Sequence, residues 1–462
     1  MAKPKKDASK ALFKEAPVTS YPYVDNRLVI IDWASLSYHL FHSIGSDKNR
    51  EKYGLLDSEG ELELWRTKMI DRVMEYIALF NPRHLVFALE GKAAWRRKFV
   101  EEYYGEHAEI YYNKSEYYVL SDNYLYMVQQ AADGGYAVTQ LSIKDREKLS
   151  DLKHRKLKDM PEKQQRMFWG IYTPGGDPIL PSYKGQRKSK PWKFSTEKKV
   201  WAEYRERFAQ ELAPLFRARA IQCHHAEGDD IIYATIRKYA GDCDDVIIVT
   251  RDSDMAQLAS SKVKLFNHQT DTFIVEPDPV GYLDGKVLAG DSADNINGMA
   301  FVDTRKGKVG LYYGEKTTQI AKGSAHILLE SCPNVYETAK KNGWSDQYMR
   351  NRTLIDLSRI PAEVSREIET SMDACPEPAS PAGFERFEFW DVPDMARNNY
   401  MRLQATGFYC VNPAKGGLPF NANLFTRYRA EAEKPKIELP EDVVTADNIG
   451  LDAELSDIDV IF

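Results

Sequence analysis

Seven carboxylates fall in three short clusters: Glu227, Asp229 and Asp230; Asp252 and Asp254; Asp291 and Asp294. Two more, Asp32 and Glu90, close apolar runs near the start of the chain. Like charges a few ångströms apart in a poorly solvated cleft repel by several kcal/mol at an effective dielectric of ~20. Such a group needs cations. Ligation by carboxylates alone selects Mg²⁺ or Mn²⁺ over zinc. Two such ions ~3.5–4 Å apart clamp the attacking and leaving oxygens of an in-line phosphodiester displacement. Each cluster alone has a plainer meaning. Asp252 and Asp254 could mark a polar strand exit, Glu227 to Asp230 could be anions at a helix N-terminus, and Asp291 and Asp294 could be turn residues. A phosphatase of the haloacid dehalogenase type also uses an Asp-x-Asp, but after its first strand; here Asp32 is followed by Trp33-Ala34.

Cations that could meet a phosphate lie in Pro181-Ser-Tyr-Lys-Gly-Gln-Arg-Lys188. Lys184 and Arg187 could offset charge on a reacting phosphate, Tyr183 could stack on a base, and Lys188 adds charge. Trp95-Arg96-Arg97-Lys98 is a second such segment. A lone basic cluster is otherwise a solvated loop. His224-His225 has no second imidazole cluster at ligand spacing and reads as structural.

The elements that position these groups follow from hydrophobic patterning. Residues 27–31, 84–89, 220–223, 245–250 and 263–266 read as strands. Residues 63–80 and a stripe of Trp201, Tyr204, Phe208, Leu212 and Leu215 read as helices, the second capped by Ser195 or Thr196. Another helix starts near Glu227. Apolar strands alternating with amphipathic helices imply an α/β fold with a mainly parallel central sheet flanked by helices. Ligands of such sheets bind outside the carboxyl ends of the strands, where Asp32, Glu90, Asp252 and Asp254 fall.

The expected organisation is a flexible arm at 1–25 and an α/β core at 26–280 interrupted by a Tyr-rich and then charged insertion at 104–178. A helical module at 281–375, an accessory region at 376–430 and an acidic, disordered tail at 431–462 follow. The net charge of −6 hides a contrast: residues 431–462 hold ten acids and two bases, net −8, so the rest sums to +2. With many of its acids assigned to a metal site, the remaining surface is basic, which suits a polyanion. Five scattered cysteines without CxxC spacing suit a reducing compartment. No signal peptide or apolar span is evident.

In order, Ile30-Ile31-Asp32, Phe87-Ala88-Leu89-Glu90-Gly91 with Trp95-Arg96-Arg97, Tyr183-Lys184-Gly185-Gln186-Arg187, Ala226-Glu227-Gly228-Asp229-Asp230, Asp252-Ser253-Asp254-Met255-Ala256-Gln257-Leu258 and Gly290-Asp291-Ser292-Ala293-Asp294-Asn295-Ile296-Asn297-Gly298 resemble the motifs of the 5′-nuclease family. That family comprises the 5′→3′ exonuclease domain of bacterial DNA polymerase I, flap endonucleases and phage exonucleases. The Trp-Arg-Arg and the segment Asn351 to Pro361 look closest to phage ribonuclease H of the T-even type. Four departures are Glu90 where relatives have Asp, Asn297 where they have Pro, a basic gateway motif displaced by about seventy residues, and a long spacing, holding Lys306 and Lys308, between Asp294 and Gly314-Glu-Lys-Thr317.

The resemblance implies a PIN-like 5′-nuclease core with a helix–three-turn–helix module, the latter at Tyr313-Gly-Glu-Lys-Thr-Thr318, where relatives hold a K⁺ ion. It implies two Mg²⁺ (or Mn²⁺): Asp32, Glu90, Glu227, Asp229 and Asp252 around the first; Asp254, Asp291 and Asp294 around the second; Asp230 supporting either. Lys184, Arg187 and Arg96 would steady the scissile phosphate. Tyr183, Lys188, Arg97, Lys306, Lys308 and Lys316 would face nucleic acid. The partner would be DNA or an RNA–DNA duplex with a 5′ end or flap, met by a monomer in the cytoplasm, the host's for a phage protein. The last residues, Leu455 to Phe462, resemble peptides that bind a sliding clamp and the tips of single-strand binding proteins. A rival is a catalytically weak nuclease-like protein that binds branched DNA and tethers partners. Another is a PIN-type ribonuclease, a shorter class without the module over Gly290 to Pro361.

Overall fold

Arg27–Asp32 forms a strand with all six residues buried. A continuous apolar run of this kind belongs inside a parallel sheet covered on both faces. It pairs in parallel with His84–Ala88 on one side and Asp245–Val249 on the other. The computed structural model describes residues 17–45, 56–298 and 334–375, apart from 123, 132–133, 177, 186–191, 217, 292 and 342. The chain folds as two compact units, one drawn from Met1–Gly91, Trp192–Pro277 and Ser365–Phe462, the other from Lys92–Pro191 and Asp278–Val364.

The first unit holds a six-stranded sheet. Ala218–Ile221 pairs beyond the second strand, and Val263–Asn267 then Thr272–Ile274 beyond Asp245–Val249. All neighbours are parallel except the last pair. The chain therefore moves outward from the first strand in one direction, then returns to its other flank at Asp245. In sheets of this kind such a reversal, here between Arg27–Asp32 and Asp245–Val249, is where ligands bind, at the carboxyl ends of the strands. Trp33, Trp65, Phe87 and Phe208 pack in the core, the Trp33 and Phe87 rings stacked at 4.9 Å. The expected helices occupy Ser58–Phe80, Lys198–Leu212 and Gly228–Tyr239. Ser195 and Thr196 do not cap the second of these. Glu197 holds that position without a side-chain bond, and the Ser195 and Thr196 N–H groups donate to the Glu61 carboxylate at 2.9 and 2.8 Å.

The second unit contains the segment read as an insertion. Residues there form a five-stranded antiparallel sheet in the order Tyr136–Leu141, Tyr124–Gln130, Glu116–Ser121, Glu109–Tyr112, Lys153–Lys156. Ile110, Val119 and Val128 join its core with Trp344 and Leu354. The region from 281, expected to be helical, has helices Pro279–Ala289, Val335–Lys341 and Ser345–Ile355 and also a hairpin pairing Gly290–Asp291 with Ile296–Asn297. The Arg350 guanidinium, 2% exposed, ties these parts together. It bonds Asp122 at 2.5 Å, the Tyr104 hydroxyl at 2.9 Å, the Asn297 carbonyl at 3.0 Å and Asn351 Oδ1 at 2.9 Å. Among the described residues no helix is long and apolar enough to cross a membrane.

Candidate metal and nucleic-acid site

In the first unit, Asp32 ends its strand and caps the helix Trp33–Ile44, accepting from the Ser35 N–H at 3.0 Å. The Thr250 hydroxyl donates to its other oxygen at 2.8 Å, and that hydroxyl accepts from the Asp252 N–H at 2.9 Å. Thr250 thus links the ends of two neighbouring parallel strands. Burial pushes the Asp32 carboxyl up to about 6, against the pull of its Ser35 and Thr250 bonds, and the Asp252 charge adds to the rise. A carboxyl so placed favours a cation nearby. Asp252 is exposed and caps the turn Ser253–Leu258, accepting from the Asp254 N–H at 3.0 Å; Asp254 is half-buried.

Glu90 is half-buried, and its carbonyl accepts from Gln222 at 2.8 Å. A Cβ on Gly228 would lie 4.0 Å from Glu90 Oε1, which puts this carboxylate beside the start of helix Gly228–Tyr239. A Cβ on Gly91 would meet the Cys223 and Ala226 carbonyls at 2.2 and 2.4 Å, so only glycine fits after Glu90. Glu227 and Asp230 form a reciprocal capping box on that helix, the Glu227 N–H donating to Asp230 at 3.0 Å. The plainer role of anions at a helix start is thus realised for these two. Asp229 is half-buried.

In the second unit, Asp291 pairs with Lys286 at 2.8 Å and accepts from the Ala293 N–H at 2.8 Å. Burial pushes its pKa up, but the Lys286 ammonium and the N–H groups outweigh that and hold it below the ordinary range. Gly290 takes φ 71, and a Cβ there would strike the Ile296 carbonyl at 2.3 Å. Asp294 accepts from the Tyr183 hydroxyl at 3.0 Å and has the Lys184 ammonium at 3.8 Å, while its carbonyl accepts from the Lys184 N–H at 2.8 Å. The basic motif and the third acid cluster are therefore brought together, 111 residues apart in sequence. Tyr183 is only 7% exposed, so its ring packs rather than offering a face to a base. Arg96, expected at a phosphate, is buried, donates to the Leu354 carbonyl at 2.9 Å and lies over Trp95. Arg97 is the exposed arginine of that segment. Arg187, Lys188, Lys306, Lys308, Lys316 and the Gly-Glu-Lys-Thr turn lie outside the described residues, as do 376–462.

Among the described residues no three His, Cys, Asp or Glu side chains already stand together as a ready cation site. The donors are nonetheless all carboxylates, the chemistry of a hard divalent ion. Sequence reasoning missed Thr250 and Lys286. Neither belongs to an acid or basic cluster, and their roles appear only once the strand ends and the loop are folded.

Residues 177–281 match the family model of the 5′-3′ exonuclease, N-terminal resolvase-like domain. The chain is similar to DNA polymerase I of Lactococcus lactis subsp. cremoris (strain MG1363), 30% identical over 204 residues, covering 40% of this chain and 21% of that protein. It is also similar to DNA polymerase I of Rhizobium leguminosarum, 33% identical over 181 residues, covering 35% and 17%. It thus spans about a fifth of the length of these relatives. A solved structure of T5 5′-exonuclease with zinc bound is 14% identical, with a TM-score of 0.42, covering 76% of this chain and 100% of that one. The matched segment, which carries part of the basic gateway motif and the Glu227–Asp230 and Asp252–Asp254 clusters, is thus where the chain is similar to a 5′-3′ exonuclease domain.

Proposed function

We propose that this protein is a divalent-metal-dependent 5′ nuclease that hydrolyses phosphodiesters at 5′ ends, flaps or RNA primers of duplex DNA, in replication or repair. The single observation that supports the reading is the Thr250 hydroxyl, which joins the Asp32 carboxylate to the Asp252 N–H at the carboxyl ends of neighbouring parallel strands. Asp32, Glu90, Glu227, Asp229 and Asp252 all belong to the first unit and are the proposed holders of one Mg²⁺ or Mn²⁺. Asp254, Asp291 and Asp294 complete the carboxylate set proposed for a second. Bound cations of this kind neutralise charge on the phosphodiester and orient the attacking water. Lys184 and Arg187 offset charge on the phosphate, and Arg97 adds a cation. Lys188, Lys306, Lys308 and Lys316 contact the nucleic-acid backbone, and a K⁺ ion would belong to the segment around Lys316. The acidic tail would recruit a sliding clamp or a single-strand binding protein.

The test is cleavage of 5′-flap, nicked and RNA-primed duplexes in Mg²⁺, Ca²⁺ or EDTA, beside Asp252→Asn. Mg²⁺-dependent release from the 5′ end, reduced at least ~100-fold in the variant, is expected. No 5′ cleavage in Mg²⁺, or undiminished cleavage by Asp252→Asn, would overturn the reading.

A further inference from the structure

The second unit contains a cleft of about 630 Å³, within the usual range for ligand sites. One wall is the antiparallel sheet, with Tyr124, Tyr126 and Gln140. Another is the turn-rich stretch around 173–181, and a third is Asn295 to Asn297. That last wall begins one residue after Asp294. Among the described residues that line the cleft, none is Asp, Glu, Lys, Arg or His.

The lining suits a flat, uncharged group with hydrogen-bonding edges. Tyr124 and Tyr126 project from the same face of one strand, their rings nearly parallel at 11° and 6.0 Å apart. Tyr124 is half-buried, packed against the core and lining the cleft. Asn and Gln side chains pair with base edges. The amide nitrogens of Asn295 and Asn297 are engaged by the Ser182 carbonyl and by Asp122, at 2.9 and 3.1 Å. Those bonds fix the two side chains and leave their amide oxygens to accept. Gln140 is exposed. The Ser121 hydroxyl, buried in the wall, has no hydrogen-bond partner among the described residues.

We infer that this cleft binds an unpaired nucleobase from the single-stranded 5′ tail of the substrate, stacked on Tyr124 and held at its edge by amide groups. The inference rests on the nuclease reading above for its ligand. It assigns to the sheet at 109–156 the task of sensing an unpaired tail.

The experiment measures binding of the full chain to 5′-tailed duplexes in EDTA, with DNA tails and RNA tails as separate arms. Tail positions are replaced one at a time by an abasic residue. One or two positions are expected to cost about tenfold in Kd, the worth of one stacked base. That cost should disappear in Tyr124→Ala and return in Tyr124→Trp. A flat scan in both arms, or a cost that persists in Tyr124→Ala, overturns the proposal. Because nothing is cut in EDTA, a stacked base in a chain that fails to cleave in Mg²⁺ would refute the nuclease reading and leave the cleft standing.

Discussion

Arg350→Met should unfold the second unit far more readily than most single substitutions. In the native unit Asp122 accepts from Arg350, from the Tyr104 hydroxyl at 2.8 Å and from the Asn297 amide at 3.1 Å, with both charged side chains at most 5% exposed. Methionine would leave the carboxylate with two neutral donors and no cation. Removing one partner of a buried ion pair costs about 3–5 kcal/mol, because the survivor stays desolvated. At ~2–4 °C per kcal/mol for a unit of this size, the melting temperature should fall by roughly 6–20 °C. The double variant Asp122→Asn with Arg350→Met removes both charges and should recover much of that loss. The assay is thermal unfolding followed by circular dichroism, with the two single variants and the double on one cycle. A loss under about 1 kcal/mol for Arg350→Met, or single losses that simply add in the double, would refute the reasoning.

Three other substitutions probe the first unit. Gly91→Ala should destabilise it by several kcal/mol, since the new Cβ would overlap two carbonyls at 2.2 and 2.4 Å; denaturant midpoints measure this, and a wild-type midpoint would contradict it. Thr250→Val removes the hydroxyl that binds Asp32 and Asp252, and should cost about 1.5–3 kcal/mol as a lost bond to charge, read in the Mg²⁺ titration of cleavage and in stability. His268 is buried, and burial, then the nearby His39, Arg251 and Arg72, lower its pKa to about 3. The unfolded chain takes up that proton near pH 6.5 and the folded chain does not. Its contribution is therefore complete above pH 6.5 and declines as pH falls toward 3, by about 2 kcal/mol between pH 7 and 5. His268→Gln should flatten that slope, and an unchanged slope would count against it.

Much of the first unit was legible because its strands are unbroken apolar runs ending in acids. Leu28 to Ile31 and Val246 to Val249 can only be interior strands, and Asp32 and Asp252 follow from where those strands stop. The edge strand Thr272–Ile274 was not legible; three half-buried residues give no period. The sheet at 109–156 was missed for another reason. Tyr111-Tyr112 and Tyr117-Tyr118 place tyrosines on both faces, so the alternation that marks a half-buried strand is blurred. In the acid loop, Asn297 stood out only as a substitute for proline. Its bond to Asp122 spans 175 residues, and no local pattern encodes such a partner. Arg96 shows the converse: a basic segment advertises charge without saying which arginine turns inward.

The pairing of Arg27–Asp32 with Asp245–Val249 also has a consequence for biosynthesis. The central strand emerges from the ribosome 218 residues before its neighbour. At ~5–20 residues per second that interval lasts roughly 10–45 s, during which an apolar strand edge has no native partner on that side. The nascent chain therefore passes through a window in which association with another chain competes with folding. Slowing translation before Asp245 should increase aggregation of this protein and make its yield depend on holdase chaperones.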